Sequence, residues 1–276
     1  MVESPVTYLH DRRAAGRRWV YFVRSRRAGG LSVGVNLDPQ RTCNFDCVYC
    51  EVVDRGATAR RLGRPRVPHD EVATELAALL DALRLGPEPV RSLAFAGDGE
   101  PSTFRGLRSL AERLFDVRDA AGLAAVPVVL VTNGSGLGRR EMFEAHDLFA
   151  ARGGVFWVKL DAGTEGFYRV VCRTAVPFER VLANLARAAR RHPVVVQSMF
   201  FRSAAFGPPP PGEVAAWARR LASVVRGGGA LAGVHVYTVA RPTTEEGIHP
   251  LGMPELEAIA DAARTALPGV PVAAFA

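Results

Sequence analysis

Lysine is nearly absent from this chain of 276 residues: among 35 basic side chains Lys159 is the one lysine, and the rest are arginine. A coding bias that favours arginine wherever the two are interchangeable gives such a composition. It spares lysine where a compact ammonium is needed, because a planar guanidinium does not replace one. Lys159 is therefore marked out, against the plainer reading that it survives by chance. Long apolar runs are missing too. None approaches the ~18–20 residues that cross a bilayer, and the apolar piece 19–23 after the N-terminal arginine pairs is too short for the core of a signal peptide. Neither membrane insertion nor export is expected, and the location expected is cytoplasmic. Cysteine is scarce, at four residues, too few for a dense disulfide framework. The proline run 208–211 is too short to act as a linker, so a single domain over 1–276 is expected.

What is present is alternation. Residues 31–37 alternate and end in Asp38-Pro39, as a strand leaving a core does. Apolar strands are expected at 93–96, 126–132, 155–160, 194–199 and 234–239, with a short seventh at 270–275. Helices are expected at 71–84 (capped by Asp70), 105–121, 139–152, 164–171, 177–191, 212–225 and 254–266. Residues 1–30 read as a basic arm with a short strand at 19–23, residues 31–276 as the β/α core, and 51–68, with Arg55, Arg60, Arg61, Arg64 and Arg66, as a surface loop. Apolar strands separated by helices mean parallel strands covered on the outside. The fold class is α/β: a partial (β/α)6 barrel of parallel strands, with an open doubly wound sheet as the alternative. In both, functional residues gather at the carboxyl ends of the strands. The polar residues fall there: the cysteine loop after the first strand, Asp98 and Glu100 after the second, Asn133 after the third, Lys159 and Asp161 on the fourth, Gln197 on the fifth, Tyr237 and Arg241 on the sixth.

Three of the four cysteines lie within Cys43-Asn44-Phe45-Asp46-Cys47-Val48-Tyr49-Cys50. Adjacent thiolates repel unless a metal neutralises them. Three are too few to close a structural zinc site or to ligate every iron of a four-iron cluster, so one metal position stays open. A zinc site completed by Cys172 or a distant histidine is the alternative.

The spacing Cys-x-x-x-Cys-x-aromatic-Cys resembles the signature of the radical S-adenosylmethionine (SAM) superfamily. The resemblance implies that Cys43, Cys47 and Cys50 hold a [4Fe-4S] cluster whose open iron is chelated by SAM. Reductive cleavage of SAM then yields a 5′-deoxyadenosyl radical that abstracts hydrogen from a substrate, whether tRNA, a peptide or protein, or a small metabolite; a non-catalytic iron–sulfur or zinc-binding module is the alternative. Gly97-Asp98-Gly99-Glu100 is similar to the family's Gly-Gly-Glu segment, which binds the methionine amino group of SAM; its glycines allow close backbone approach. Lys159 and Asp161 share a face at strand spacing. By the same resemblance Lys159 pairs with the methionine carboxylate, Asp161 accepts from ribose hydroxyls, Asn133 lines the pocket and Tyr49 lies beside adenine. Gln197, Tyr237 and Arg241 are substrate-side candidates by position.

The motifs Gly-Asp-Gly-Glu-Pro-Ser, Thr132-Asn133-Gly134-Ser135, Lys159-Leu160-Asp161-Ala162 and Tyr237-Thr238-Val239-Ala240-Arg241-Pro242 resemble those of radical SAM proteins related to wyosine-tRNA synthetases. No cysteine precedes Cys43, so a one-cluster relative is implied. The charge is uneven: residues 1–66 carry a net +7 and the remainder is neutral. Beside a solvated surface, this suggests an acidic partner near the cysteines: an electron donor of flavodoxin or ferredoxin type, tRNA, or a phosphorylated substrate. Cys172 reads as packing, or as a hydrogen-atom donor. His192, His235 and His249 show no ligand spacing.

Overall fold

The computed structural model describes residues 17–37, 43–52 and 67–276. The first sixteen residues of the basic arm, Asp38-Pro39 and the loop arginines 55–66 lie outside the described residues. Val20–Ser25 (β1) and Gly30–Val35 (β2) form an antiparallel hairpin. The chain then alternates: His69–Arg84 (α1), Val90–Phe95 (β3), Leu107–Ala120 (α2), Val128–Thr132 (β4), Arg140–Ala151 (α3), Gly154–Lys159 (β5), Glu165–Cys172 (α4), Phe178–Arg191 (α5) and Val194–Met199 (β6). A two-residue strand Arg202–Ser203 (β7) precedes Pro211–Arg226 (α6) and Leu231–Tyr237 (β8). Ile248–His249 (β9) pairs with β7, and Met253–Ala266 (α7) leads to Val272–Phe275 (β10).

The main sheet runs β1-β2-β3-β4-β5-β6-β8-β10. Every pairing from β2 to β10 is parallel. Since the order never reverses, there is no switch point, and right-handed crossovers place successive helices on one face. This excludes the doubly wound alternative. The sheet is also curled. The turn between β1 and β2 carries Arg27, which donates to Gln197 Oε1 on β6 at 2.7 Å, and Arg26, which donates to the Thr238 carbonyl after β8 at 3.2 Å. In a flat sheet, four strand spacings would separate β2 from β6 by roughly 19 Å, beyond an arginine's reach. The contacts therefore cross the concave face of a half-barrel, and the hairpin turn spans its open side.

The convex face is the helix-covered core. Val72, Leu76, Leu79 and Leu80 of α1 and Leu107, Leu110, Leu114 and Phe115 of α2 are buried against it. The seventh strand expected at 270–275 forms and joins β8, and the strand expected in the basic arm is the sheet's antiparallel edge. Asp70 does not cap α1. Pro68 occupies the cap position and the helix starts at His69, leaving Asp70 in the first turn in an ion pair with Arg113. There the carboxylate favours the positive end of the helix without accepting a capping hydrogen bond.

Candidate active site

The cysteine loop is fastened on several sides. Helix α4 ends where Arg173 adopts a left-handed conformation (φ 44°). Its last carbonyls, which have no partner within a helix, accept from the loop: Asp46 N–H donates to Cys172 O at 3.1 Å and Val48 N–H to Val171 O at 3.0 Å. Asn44 joins the loop to the turn after β4, donating to Ser135 Oγ at 2.8 Å and accepting from Asn133 at 3.0 Å. Beyond the last cysteine, Thr244 N–H donates to the Cys50 carbonyl at 2.8 Å. The carboxylate of Glu51 accepts from the backbone of Ala240 and Arg241 and pairs with the Arg241 guanidinium. The loop is thereby tied to the segments after β4, α4 and β8.

A cavity of about 320 Å³ lies on the concave face. Cys43, Cys47 and Cys50 line it together with Tyr49, residues 97–100, Asn133, Lys159 and Asp161. Segments far apart in the chain thus meet because each follows a parallel strand. The thiols are half-buried. Among the described residues, no three Cys, His, Asp or Glu side chains close on a single ion position. The three thiols are instead distributed around the lining of one cavity. Two sulfurs receive donors: Phe45 N–H reaches Cys43 Sγ at 3.5 Å, and the Cys172 thiol hydrogen-bonds to Cys47. That bond is the main reason the Cys47 thiol titrates below its ordinary value, ahead of the opposing effect of burial; the same contact, with burial, pushes Cys172 well above it. Soft ligands with hydrogen bonds to sulfur suit an iron–sulfur body, so the residues present fit the group that the spacing suggested.

Opposite the cysteines is a buried polar network. Lys159 donates to the Tyr237 hydroxyl at 2.6 Å, lies 3.4 Å from Asp161 Oδ2, and faces the rings of Tyr49 and Tyr237. Burial disfavours its charge, but Asp161, the Tyr237 hydroxyl and Cys47 outweigh that and raise its pKa above the usual lysine value. Asp161 also accepts from Tyr49 Oη and from Met199 N–H at 2.8 Å. Burial, then the Asp161 charge, pushes the Tyr49 phenol well up.

The Gly97–Glu100 segment is held from both ends. Asn36, at the end of β2, exchanges hydrogen bonds with Asp98 (2.9 and 3.1 Å). A Cβ on Gly97 would sit 2.3 Å from the Asn36 side-chain oxygen, so glycine is required. Glu100 accepts from Ser102 N–H at 2.9 Å, Thr132 Oγ1 at 2.5 Å and Asn133 N–H at 2.7 Å. Burial raises its pKa against these bonds. The carboxylate thus organises the turns after β3 and β4. Behind β5, buried Glu213 of α6 accepts from Thr164 N–H (3.0 Å) and Thr164 Oγ1 (2.7 Å) and so seats the turn after Asp161.

The three substrate-side candidates separate. Tyr237 lines the cavity as the partner of Lys159. Arg241 lines it but is paired with Glu51. Gln197 is fully buried and is not in the lining; it sits under Arg27 and within 3.5 Å of His235 Nδ1. Asn36, Asn44, Glu51, Glu213 and Arg27 were not singled out by sequence reasoning. Asn36, Asn44 and Glu51 stand inside or beside the motif segments, where polar residues crowd; the other two leave no local sign.

Residues 37–203 match the radical SAM superfamily, and the chain belongs to it. A stretch of 168 residues, 60% of this chain, is 30% identical to part of the GTPase Obg of Brachyspira hyodysenteriae, of which it spans 22%. In fold, the chain is similar to a radical SAM methyltransferase from Sphaerobacter thermophilus (TM-score 0.63, 16% identity, 93% of this chain and 68% of that one). It is also similar to a mutant spore photoproduct lyase (TM-score 0.59, 12% identity, 94% and 81%). A [4Fe-4S] cluster and SAM are general properties of the superfamily. No helix among the described residues is long and apolar enough to cross a membrane.

Proposed function

We infer that this chain is a one-cluster radical SAM enzyme acting by hydrogen abstraction, with Cys43, Cys47 and Cys50 holding a [4Fe-4S] cluster. When bound, that cluster supplies the electron for homolysis of SAM and so a 5′-deoxyadenosyl radical. The remaining work belongs to the chain's own residues. Lys159 offers a fixed ammonium to the methionine carboxylate. Asp161, anchored by Met199 N–H, faces the ribose, and the Tyr49 ring packs by the adenine. Backbone of the Gly97–Glu100 segment, oriented by Asn36 and Glu100, receives the methionine ammonium, with Asn133 beside it. The observation that carries this reading is the convergence of all these residues on one cavity in a chain of this superfamily. Residues 1–276 act as one domain in a cytoplasmic protein, reduced by an acidic electron donor that docks near the arginine-rich segment. A tRNA substrate is the second use for that segment, although two of its arginines, Arg26 and Arg27, face the cavity and not the surface.

The test is anaerobic reconstitution with iron and sulfide, reduction in the presence of SAM, and an assay for 5′-deoxyadenosine. Formation that disappears in Cys43→Ala, Cys47→Ala and Cys50→Ala establishes the chemistry. Cys172→Ala is expected to keep the cluster's absorbance. Loss of the cluster in that variant, or zinc in place of iron, overturns the ligand set.

A further inference from the structure

Three cationic side chains lining the cavity are paired with carboxylates, and Arg27 differs in kind. Lys159 has Asp161, Arg241 has Glu51, and Arg24 has Glu88. Arg27 has a neutral amide, Gln197 Oε1 at 2.7 Å, and two aromatic faces, Tyr237 at 4.5 Å and Trp157 at 5.6 Å. Among the described residues no carboxylate pairs with it. A guanidinium cannot shed its charge and carries five N–H donors; a cation held in a cleft without an anion is costly. Its orientation is nevertheless fixed, by a fully buried glutamine on one side and two rings on the other. Gln197 is in register with Lys159, and Trp157 points to the same face of β5 two residues earlier, so Arg27 sits beside Lys159 on the Trp157 side. Across from it, the wall of β2 and β3 carries only Ser32, Gly34, Ser92, Ala94 and Ala96.

We propose that Arg27 anchors the anionic end of a small substrate, a carboxylate or a phosphate monoester, whose remaining atoms lie along the facing small-residue wall of β2 and β3. The assignment rests on the radical SAM reading and adds a substrate class to it. Planar, bidentate recognition of such anions is what a pre-oriented guanidinium does. A macromolecular substrate that stays at the surface does not use this residue.

The experiment is calorimetric titration of the whole reconstituted chain, anaerobic and in low salt, with succinate and separately with inorganic phosphate, each with and without SAM. Saturable binding of one anion is expected, weakened about tenfold or more in Arg27→Gln and less in Arg27→Lys, as for loss of a charge-assisted hydrogen bond. Which anion binds tells carboxylate from phosphate. A second variant does not depend on removing the arginine: Gln197→Glu places a carboxylate on Arg27's existing partner atom, and should also weaken anion binding about tenfold while the fold is kept. Unchanged affinity in both variants, or no saturable binding of either anion to the unaltered chain, overturns the proposal. So does loss of SAM affinity in Arg27→Gln, which assigns the residue to the SAM site. Failure of the radical SAM reading shows separately, as no 5′-deoxyadenosine from the unaltered chain.

Discussion

The two walls of the half-barrel interior are built on opposite plans. On β2 and β3 the inward positions are Ser32, Gly34, Ser92, Ala94 and Ala96, and the hydroxyls of Ser32 and Ser92 satisfy each other at 2.8 Å. On β5, β6 and β8 they include Trp157, Lys159, Gln197, His235 and Tyr237, joined by hydrogen bonds and ring contacts. The first wall makes the space and the second presents the chemistry. A cavity thus arises without empty core volume: the convex side stays fully packed, and the missing side-chain mass is confined to two adjacent strands. The contrast predicts that the crowded wall is intolerant of change and the small wall tolerant, except where another residue covers it.

The largest effect is expected for Lys159→Met, which leaves Asp161 buried beside Tyr49 without its cation. Breaking one half of a buried pair costs about 3–5 kcal/mol, read as a lowered denaturant midpoint with an unchanged slope. A loss below about 1 kcal/mol would mean that the network is solvated, in the range of exposed pairs. Next comes the exception on the small wall. A Cβ at Gly34 would lie 2.2 Å from the ring of Tyr21, whose hydroxyl donates to the Ala96 carbonyl at 3.0 Å. Gly34→Ala is expected to cost about 1–3 kcal/mol, the usual range for overpacking, and urea unfolding measures it.

Acid should act through two imidazoles, one on each side of the sheet. Burial, then Arg27, lowers His235 from 6.5 to about 4; burial, then His192, does the same for His146, which stacks on Phe156 at 4.2 Å. A depressed histidine is protonated in the unfolded chain first. Stability is therefore expected to fall between pH 6.5 and 4, with uptake of about two protons on unfolding. His235→Asn should remove about half of that uptake in melts across this range; an unaltered pH dependence would show that His235 is protonated in the fold. The smallest effect is expected for Ala94→Leu, whose side chain would enter the cavity: a stability change within about 1 kcal/mol, measured by the same melts. A cost near that of Gly34→Ala would show the small wall to be packed.

Most of the architecture was legible because it is written locally. Apolar runs bounded by Gly, Pro and Asp set the strands, and each motif sits where a strand stops, so parallel order alone brings Cys47, Glu100, Asn133 and Asp161 together. What could not be read depends on distance or direction. Gln197 is a substrate-side candidate by its position on the fifth strand, yet Arg27 arrives from the other edge of the sheet and covers it. Arg26 and Arg27 look like surface charge in a basic segment until the sheet's curl turns them inward. Glu213 is one acid in the first turn of a helix, and nothing nearby announces that it seats Thr164. Asp70 resembles a cap in sequence, but Pro68, with its fixed φ, begins the helix first.

The ties across the open side join residues 212 positions apart at Arg26 and Thr238, and 190 apart at Glu51 and Arg241. Such closures come late in folding, because the chain between them must be ordered first. During synthesis the early segment carrying the three thiols lacks its seat until β8 and the residues after it have left the ribosome. Iron and sulfide delivered before then would meet an unfastened loop, so a cluster held by these thiols, as proposed above, would be inserted after translation and not alongside it.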